Sequence, residues 1–308
     1  MAVDATTRAA LVEHARLSIK RGSQSFSAAS QLFDNATRER AWLLYAWCRR
    51  ADDIADNQDM GGVLGDQTDL AERLALIRRL TALAFEGKPT GDPAFDALGV
   101  VAAEVGLTPQ MAEDVIAGFQ LDAEDWRPRT EADMMRYCYH VAGAVGVMMA
   151  VVMGVDPRDQ ETLDRANDLG LAFQLSNIAR DIVEDDAVGR CYLPEIWLVE
   201  QDIEPGQHTK PHHRKELAAM AARLVALVEK HEAAARVGAA KLPFRSRWAV
   251  LSAARIYGAI GRRVAELGKD AWNRRVVIGR AEKLRHVSAA FFEAVRNKPD
   301  EPAEPPLW

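Results

Sequence analysis

Cysteine is scarce, aromatic residues are few and positive charge is in deficit, and each shortage removes a class of function. The three cysteines, Cys48, Cys138 and Cys191, are odd in number, far apart and without CxxC spacing. A disulfide framework or a cysteine zinc site is therefore not expected, and a reducing, cytosolic setting fits best. Aromatics make up 7% of the chain and the formal net charge is -6, with no basic-aromatic run, so no nucleic-acid partner is expected. The stretch from Met1 to Arg16 mixes charges with alanine and has no apolar h-region, which argues against a signal peptide. The longest apolar run, Val141 to Val155, falls short of the roughly 20 residues of a membrane span and reads as a core helix. Strand patterns are almost absent.

What is present is helix. Over 308 residues, 48% hydrophobic and 27% charged, alanine and leucine recur with a period near 3.6. Breakers divide the chain into helical segments near 6–22, 36–57, 67–86, 93–105, 109–123, 131–154, 159–186, 212–240, 244–267 and 277–296. Several starts carry caps: Asp34 or Asn35, Asp66, Asp92 before Pro93, Thr108 before Pro109, and Thr130. Connections are short, so one all-α domain over residues 1–296 is expected, followed by a proline-rich, acidic and disordered tail over 297–308. The segment Ile203 to His213 reads as an exposed loop, with His208, His212 and His213 in solvent rather than on a metal.

Two acidic patches break the apolar pattern. The first is Arg49-Arg50-Ala51-Asp52-Asp53-Ile54-Ala55-Asp56, and the second is Asn177-Ile178-Ala179-Arg180-Asp181-Ile182-Val183-Glu184-Asp185. Tyr45, Arg49, Asp52 and Asp56 share one face of a helix, and Gln174, Asn177, Asp181 and Asp185 share another. Leu43, Trp47 and Ile54 on the first helix, and Leu171, Leu175, Ile178 and Ile182 on the second, form separate apolar stripes. Uncompensated carboxylates on such surfaces repel and are costly to bury, so a positive partner is required. Surface pairing with Arg49, Arg50 and Arg180 is one answer. The simpler one for two such motifs is a hard divalent cation, Mg2+ or alternatively Mn2+, in two or three copies bridging to substrate diphosphate. Metal ions and arginines of this kind stabilise the charge on a departing diphosphate.

A longer gapped pattern surrounds these acids. Tyr137-Cys138-Tyr139-His140-Val141-Ala142-Gly143-Ala144-Val145-Gly146 resembles one signature of the squalene and phytoene synthases. Leu169-Gly170, Gln174, Asn177-Ile178, Arg180-Asp181, Asp185 and Arg190-Cys191-Tyr192-Leu193-Pro194 resemble the other. Ser23-Gln24-Ser25-Phe26-Ser27, Leu44 to Arg49 and Arg255-Ile256-Tyr257 are also similar, so the resemblance covers roughly residues 10 to 295. It implies an all-α isoprenoid-synthase helical bundle around a central cavity. Metal ligands at Asp52, Asp53, Asp56, Asn177, Asp181 and Asp185 follow from it, with catalytic roles for Tyr45, Arg49, Asp52, Asp56 and Asp181. Ser23, Ser25, Tyr45, Arg49, Gln174, Arg180, Tyr257 and Arg275 are implied to bind the diphosphate or the intermediate, the two serines under a lid.

The implied activity is that of a prenyltransferase of carotenoid biosynthesis: head-to-head condensation of two geranylgeranyl diphosphates to phytoene, most like the bacterial members. NADPH is not expected, and ATP stimulation is not readable from the residues. The alternatives are dehydrosqualene or squalene synthesis from farnesyl diphosphate, and a non-catalytic helical assembly protein that keeps the fold alone. The small residues Ala142, Gly143, Ala144 and Gly146 serve close helix packing, a prenyl channel, or both. From Arg245 to Arg285 eleven Lys or Arg stand against three acids. A solvated face is the first reading of that excess. Peripheral contact with the inner face of the cell membrane, and with downstream carotenoid enzymes, is the second.

Overall fold

The computed structural model describes residues 5–58, 69–123 and 126–297, apart from the side chains of 5–7, 24, 25 and 123. In chain order the helices are α1 (Ala5–Gly22), α2 (Gln24–Ser30), α3 (Asn35–Ala55), α4 (Leu70–Phe85), α5 (Pro93–Val105), α6 (Pro109–Ala123) and α7 (Glu131–Cys138). A π-helical turn, Tyr139–Gly143, joins α7 to α8 (Ala144–Val152). Then follow α9 (Gln160–Ala187), α10 (Glu195–Val199), α11 (Arg214–Ala239), α12 (Phe244–Leu267) and α13 (Arg280–Arg296). No strand occurs among the described residues, in keeping with the expected all-α class.

The caps explain most of these starts. Asp34 accepts the backbone N–H of Thr37, Asp92 that of Ala94 ahead of Pro93, and Thr108 that of Met111. Thr130 and Asp133 form a reciprocal capping box at α7. Asp66, expected to cap α4, and the tail residues 298–308 lie outside the described residues. The short helices α2 and α10 are not foreshadowed by the sequence: at seven and five residues they are too brief for a 3.6-residue period to declare itself.

The chain divides into two compact units. The first comprises residues 1–124 and 147–163, the second residues 125–146 and 164–308. In the first, α1, α3 and α5 share a core that includes Ala15, Ile19, Leu43, Leu44, Trp47, Phe95 and Leu98. α4 packs on α5 so closely that a Cβ on Gly99 would stand 2.7 Å from the Ala84 carbonyl oxygen. Trp42 and Trp47 donate their indole N–H groups to Ser30 and Thr81, which lets both rings be buried.

In the second unit α12 packs on α11 and α13, and a buried polar chain ties α9 to α11. Asp168 of α9 meets the His231 Nδ1 of α11 at 2.7 Å, and Glu232 bonds Arg236 and, at 2.8 Å, Arg262 of α12. Gly143, Gly146 and Gly170 seat the π-turn and the start of α8 against α9. A Cβ on Gly146 would lie 2.6 Å from the Ala166 carbonyl oxygen, and one on Gly170 would lie 2.6 Å from both the Ala142 carbonyl carbon and Gly143 Cα. Close packing therefore accounts for these small residues.

The helical stretch Glu131–Val152, which falls within the segment 131–154 read from the sequence, is 22 residues long and apolar enough to cross a membrane by length and composition. The π-turn extends it without breaking it, and half of its most apolar window is buried. His208, expected in solvent, is only 1% exposed. Thr209 donates its hydroxyl to Asp186 at the end of α9 and draws the loop onto that helix, while His212 and His213 stay at the surface.

Candidate functional site

The first acidic set sits at the C-terminal end of α3, in the first unit. Successive turns of this helix bury Leu43, Leu44, Ala46, Trp47, Ala51 and Ala55, which fixes the opposite rotation of Tyr45, Arg49, Asp52 and Asp56. Arg49 Nη1 donates to Asp52 Oδ2 at 2.6 Å and lies 3.9 Å from Asp53 Oδ1. Asp53 is 4% exposed and turned further inward than its neighbours. Asp56 closes the helix and accepts from the Gln58 side chain at 3.2 Å. Tyr45 lies against Phe26 of α2, with ring centroids 5.7 Å apart, and α2 is held by Ser23, which accepts the Phe26 N–H. Ser23 thus acts as a helix cap here; the side chain of Ser25 lies outside the described residues.

The electrostatics of this helix end are set first by burial. Burial pushes the Asp52 carboxyl from its ordinary 3.8 up to about 6, Arg49 opposes the shift, and Asp56, Asp53 and Asp122 add to it. Asp122, near the end of α6, is a fourth carboxylate that the sequence does not point to. Its helix also carries Glu113 and Asp114, but no acid stands four residues from Asp122 to give the echo that singles out the other acids. Arg50, a candidate partner for these acids, turns away and bonds Asp92 at 2.8 Å.

The second set lies on α9, in the second unit. Leu171, Leu175, Ile178 and Ile182 are buried, as their stripe predicts, and Gln174, Asn177, Asp181 and Asp185 are half-buried beside them. Asp181 is gripped by two guanidinium groups. Arg180 reaches both carboxylate oxygens, with Nε at 2.7 Å, and Arg275 donates from Nε at 3.1 Å and from Nη2 at 2.9 Å. Arg275 comes from 94 residues away; Trp272, donating to the Ala179 carbonyl at 3.1 Å, pins its segment to α9. Tyr257 stacks on Phe173 with centroids 4.0 Å apart, and burial raises its phenol pKa while Arg180 lowers it.

Beyond Asp185 a narrow cleft is lined by Ile178, Ile182, Asp185, Arg190, Cys191, Tyr192 and His208. Tyr192 stacks on Tyr137 at 4.8 Å, and Tyr137 on Trp126 at 5.5 Å, so the Arg190–Pro194 signature is braced on the Tyr137–Gly146 signature. All three cysteines are free thiols, and burial raises their pKa, that of Cys48 to about 12.

The donors in both sets are hard oxygens, carboxylate and amide, which fit Mg2+ and not a soft metal. Among the described residues no three His, Cys, Asp or Glu side chains converge as a ready-made cage. Magnesium does not need one, since it keeps waters and substrate phosphates in its shell.

The architecture is that of an all-helical prenyl-diphosphate enzyme. A solved structure of a dehydrosqualene synthase with a bound ligand superimposes with a TM-score of 0.82 at 25% identity, over 94% of this chain and 99% of that one. The Squalene/phytoene synthase family model matches residues 19–282, and the chain belongs to that family. It is 44% identical to a phytoene synthase of Pseudescherichia vulneris, over 94% of this chain and 93% of the relative. With a 15-cis-phytoene synthase of Enterobacter agglomerans the identity is 45%, over 90% and 94%.

Proposed function

We propose that this chain is a prenyltransferase that joins two geranylgeranyl diphosphates head to head and releases phytoene. The carrying observation is identity of 44–45%, over nine-tenths or more of both chains, to proteins named as phytoene-forming enzymes. The family match runs through both compact units, which supports reading residues 1–296 as one catalytic domain. Dehydrosqualene synthesis is the second reading and rests on the 25% identical structural relative. The non-catalytic alternative is disfavoured because Asp52, Asp56, Asp181 and Asp185 are all present.

In the first half-reaction the C1–O bond of one substrate breaks, diphosphate departs, and the allylic cation alkylates the double bond of the second. Loss of a proton then leaves a cyclopropylcarbinyl diphosphate. In the second, that diphosphate leaves in turn, the cation rearranges to the 1-1' linkage, and loss of a second proton gives phytoene. Mg2+, or Mn2+, in two or three copies would supply Lewis acidity towards the diphosphate leaving group. Asp52, Asp53 and Asp56, and separately Asn177, Asp181 and Asp185, are the oxygen ligands we assign to it. In support, burial pushes the Asp52 carboxyl up to about 6 and the neighbouring Asp56, Asp53 and Asp122 push it the same way, a cluster of oxygens that a hard cation would neutralise.

Arg49, Arg180 and Arg275 are assigned to the diphosphate. Each already donates to a carboxylate, and each can exchange it for phosphate oxygens of the same charge-assisted kind. Tyr45, Gln174 and Tyr257 are assigned to orienting the substrate or the cyclopropyl intermediate, and the segment bearing Ser23 and Ser25 to covering the diphosphates. We place the enzyme in the cytoplasm, in peripheral contact with the inner face of the cell membrane, where downstream carotenoid enzymes receive a hydrocarbon that water does not dissolve. The test is product analysis: purified protein with geranylgeranyl or farnesyl diphosphate, with and without NADPH. A C40 product independent of NADPH is expected, and a C30 main product would overturn the assignment.

A further inference from the structure

The surface of α13 carries an apolar stripe that its own fold does not use. Its inner face is small: Ala290 and Ala294 are fully buried in a cluster with Ala239 and Leu251, against which Trp248 packs. Its outer face is large: Leu284 is 67% exposed, Phe292 62% and Val295 58%, with Phe291 beside them at 37%. These four recur at i, i+7, i+8 and i+11, which is one stripe along the helix. Phe244 of α12, 40% exposed, widens it, and edge-to-face contacts of Phe291 with Phe244 at 5.6 Å and Trp248 at 5.3 Å hold the rings in place. The stripe is therefore continuous from α13 onto the start of α12. Backbone anchors fix it further: Trp248 donates to the Val287 carbonyl at 2.8 Å and Arg247 to the Ala294 carbonyl at 3.0 Å.

Charge is sorted around the stripe. The acids of α13 are engaged by arginines: Glu293 by Arg236 of α11 and Arg255 of α12, Glu282 by Arg263 of α12 and, at 3.5 Å, by Arg285 of α13 itself. The exposed cations Arg280, Arg285 and Arg296 border the outer face along the helix, and Arg245 lies next to Phe244. A contiguous exposed apolar patch rimmed by polar residues marks an interaction surface. Large apolar residues flanked by arginines on one face of a surface helix suit the headgroup boundary of an anionic bilayer. A second copy of this chain fits worse. A two-fold contact would set this arginine-rich rim against itself.

We propose that the outer face of α13, with Phe244, is the surface by which this protein docks on anionic lipid membranes. The inference deepens the peripheral setting proposed above and names the residues that enter the interface. It is independent of which prenyl diphosphate is the substrate.

The test is flotation of the full chain with vesicles of phosphatidylglycerol and phosphatidylethanolamine, against vesicles of phosphatidylcholine alone. The wild type floats with the anionic vesicles, less with the zwitterionic ones, and less again at about 0.5 M salt, where screening is strong. Leu284→Ser with Phe292→Ser lowers the bound fraction at least tenfold, and Arg285→Glu with Arg296→Glu abolishes the preference for anionic lipid. Circular dichroism and turnover in detergent micelles stay at wild-type levels in both variants, because neither pair touches the residues assigned to diphosphate. Failure of the wild type to float overturns the proposal, as does undiminished flotation of the double serine variant. So does a wild-type dimer in light scattering that the serine variant converts to monomer, or flotation that begins only when residues 298–308 are removed. Absence of turnover with every diphosphate tried would defeat the catalytic reading while leaving the flotation result intact.

Discussion

Asp52→Asn should make the metal-free protein more stable while abolishing its turnover. Burial, with Asp56, Asp53 and Asp122 nearby, lifts the folded-state pKa of this carboxyl from 3.8 to about 6. The fold therefore prefers the protonated form. The associated stability is fully present below pH 3.8 and is lost as the pH rises through about 6. A rise of that size corresponds to at most about 3 kcal/mol. Since the side chain is 34% exposed and paired with Arg49, solvent screening reduces this to about 1 kcal/mol. Asparagine keeps an oxygen for Arg49 and removes the charge that the fold resists. In EDTA at pH 8 the variant should melt about 2 °C above wild type, on the scale of roughly 2–4 °C per kcal/mol for chains of this size. The gain should shrink as the pH falls through about 6 and vanish near 3.8. Adding Mg2+ with inorganic diphosphate should raise the melting temperature of the wild type and leave the variant unmoved. Scanning calorimetry in both buffers checks all of this, and a variant that melts at or below wild type at pH 8 without metal would refute the argument.

Arg275→Ala should leave the melting temperature within about 1 °C, because the side chain is half-exposed and Arg180 still holds Asp181. The KM for the diphosphate substrate should rise about tenfold, and unchanged steady-state kinetics would remove Arg275 from the site. Arg49→Lys keeps the charge but loses the planar fork, so kcat should fall on the order of a hundredfold with circular dichroism unaltered; normal turnover would be the contrary result. Gly170→Ala places a Cβ 2.6 Å from backbone atoms of Ala142 and Gly143, with no flexible side chain to yield. It should cost about 1–3 kcal/mol or prevent folding, read as lost soluble yield or a lowered melting temperature, and a wild-type melt would contradict the packing described. Excess EDTA should stop product formation and added Mg2+ restore it, whereas turnover that persists in EDTA would defeat the metal assignment.

Much of this protein is legible in its sequence because the physics involved is local. Asp34, Asp92 and Thr130 cap the helices that their positions announce, since a cap acts over three residues and needs nothing else. The buried stripe Leu171, Leu175, Ile178 and Ile182 and the half-buried stripe Gln174, Asn177, Asp181 and Asp185 follow from helical spacing alone. So does the one-sided rotation of Arg49, Asp52 and Asp56 on α3. The acidic sets are conspicuous because they repeat at a period that no solvated face requires.

What lies beyond local pattern is decided in three dimensions. Asp122 joins the field of Asp52 only because α6 folds back beside α3, and nothing in its own helix advertises that. The pairing of Arg275 with Asp181 spans 94 residues and depends on Trp272 finding one carbonyl of α9. His208 looks like a loop histidine in sequence and is buried because Thr209 bonds Asp186 at the end of a helix. The outer stripe of α13 is apolar in sequence like any core face; only packing reveals that the alanines, and not the phenylalanines, point inward. Periodicity states which residues share a face of a helix. Which of two apolar faces is buried, and which distant charges meet, depends on what packs against them, and that information resides in the tertiary contacts.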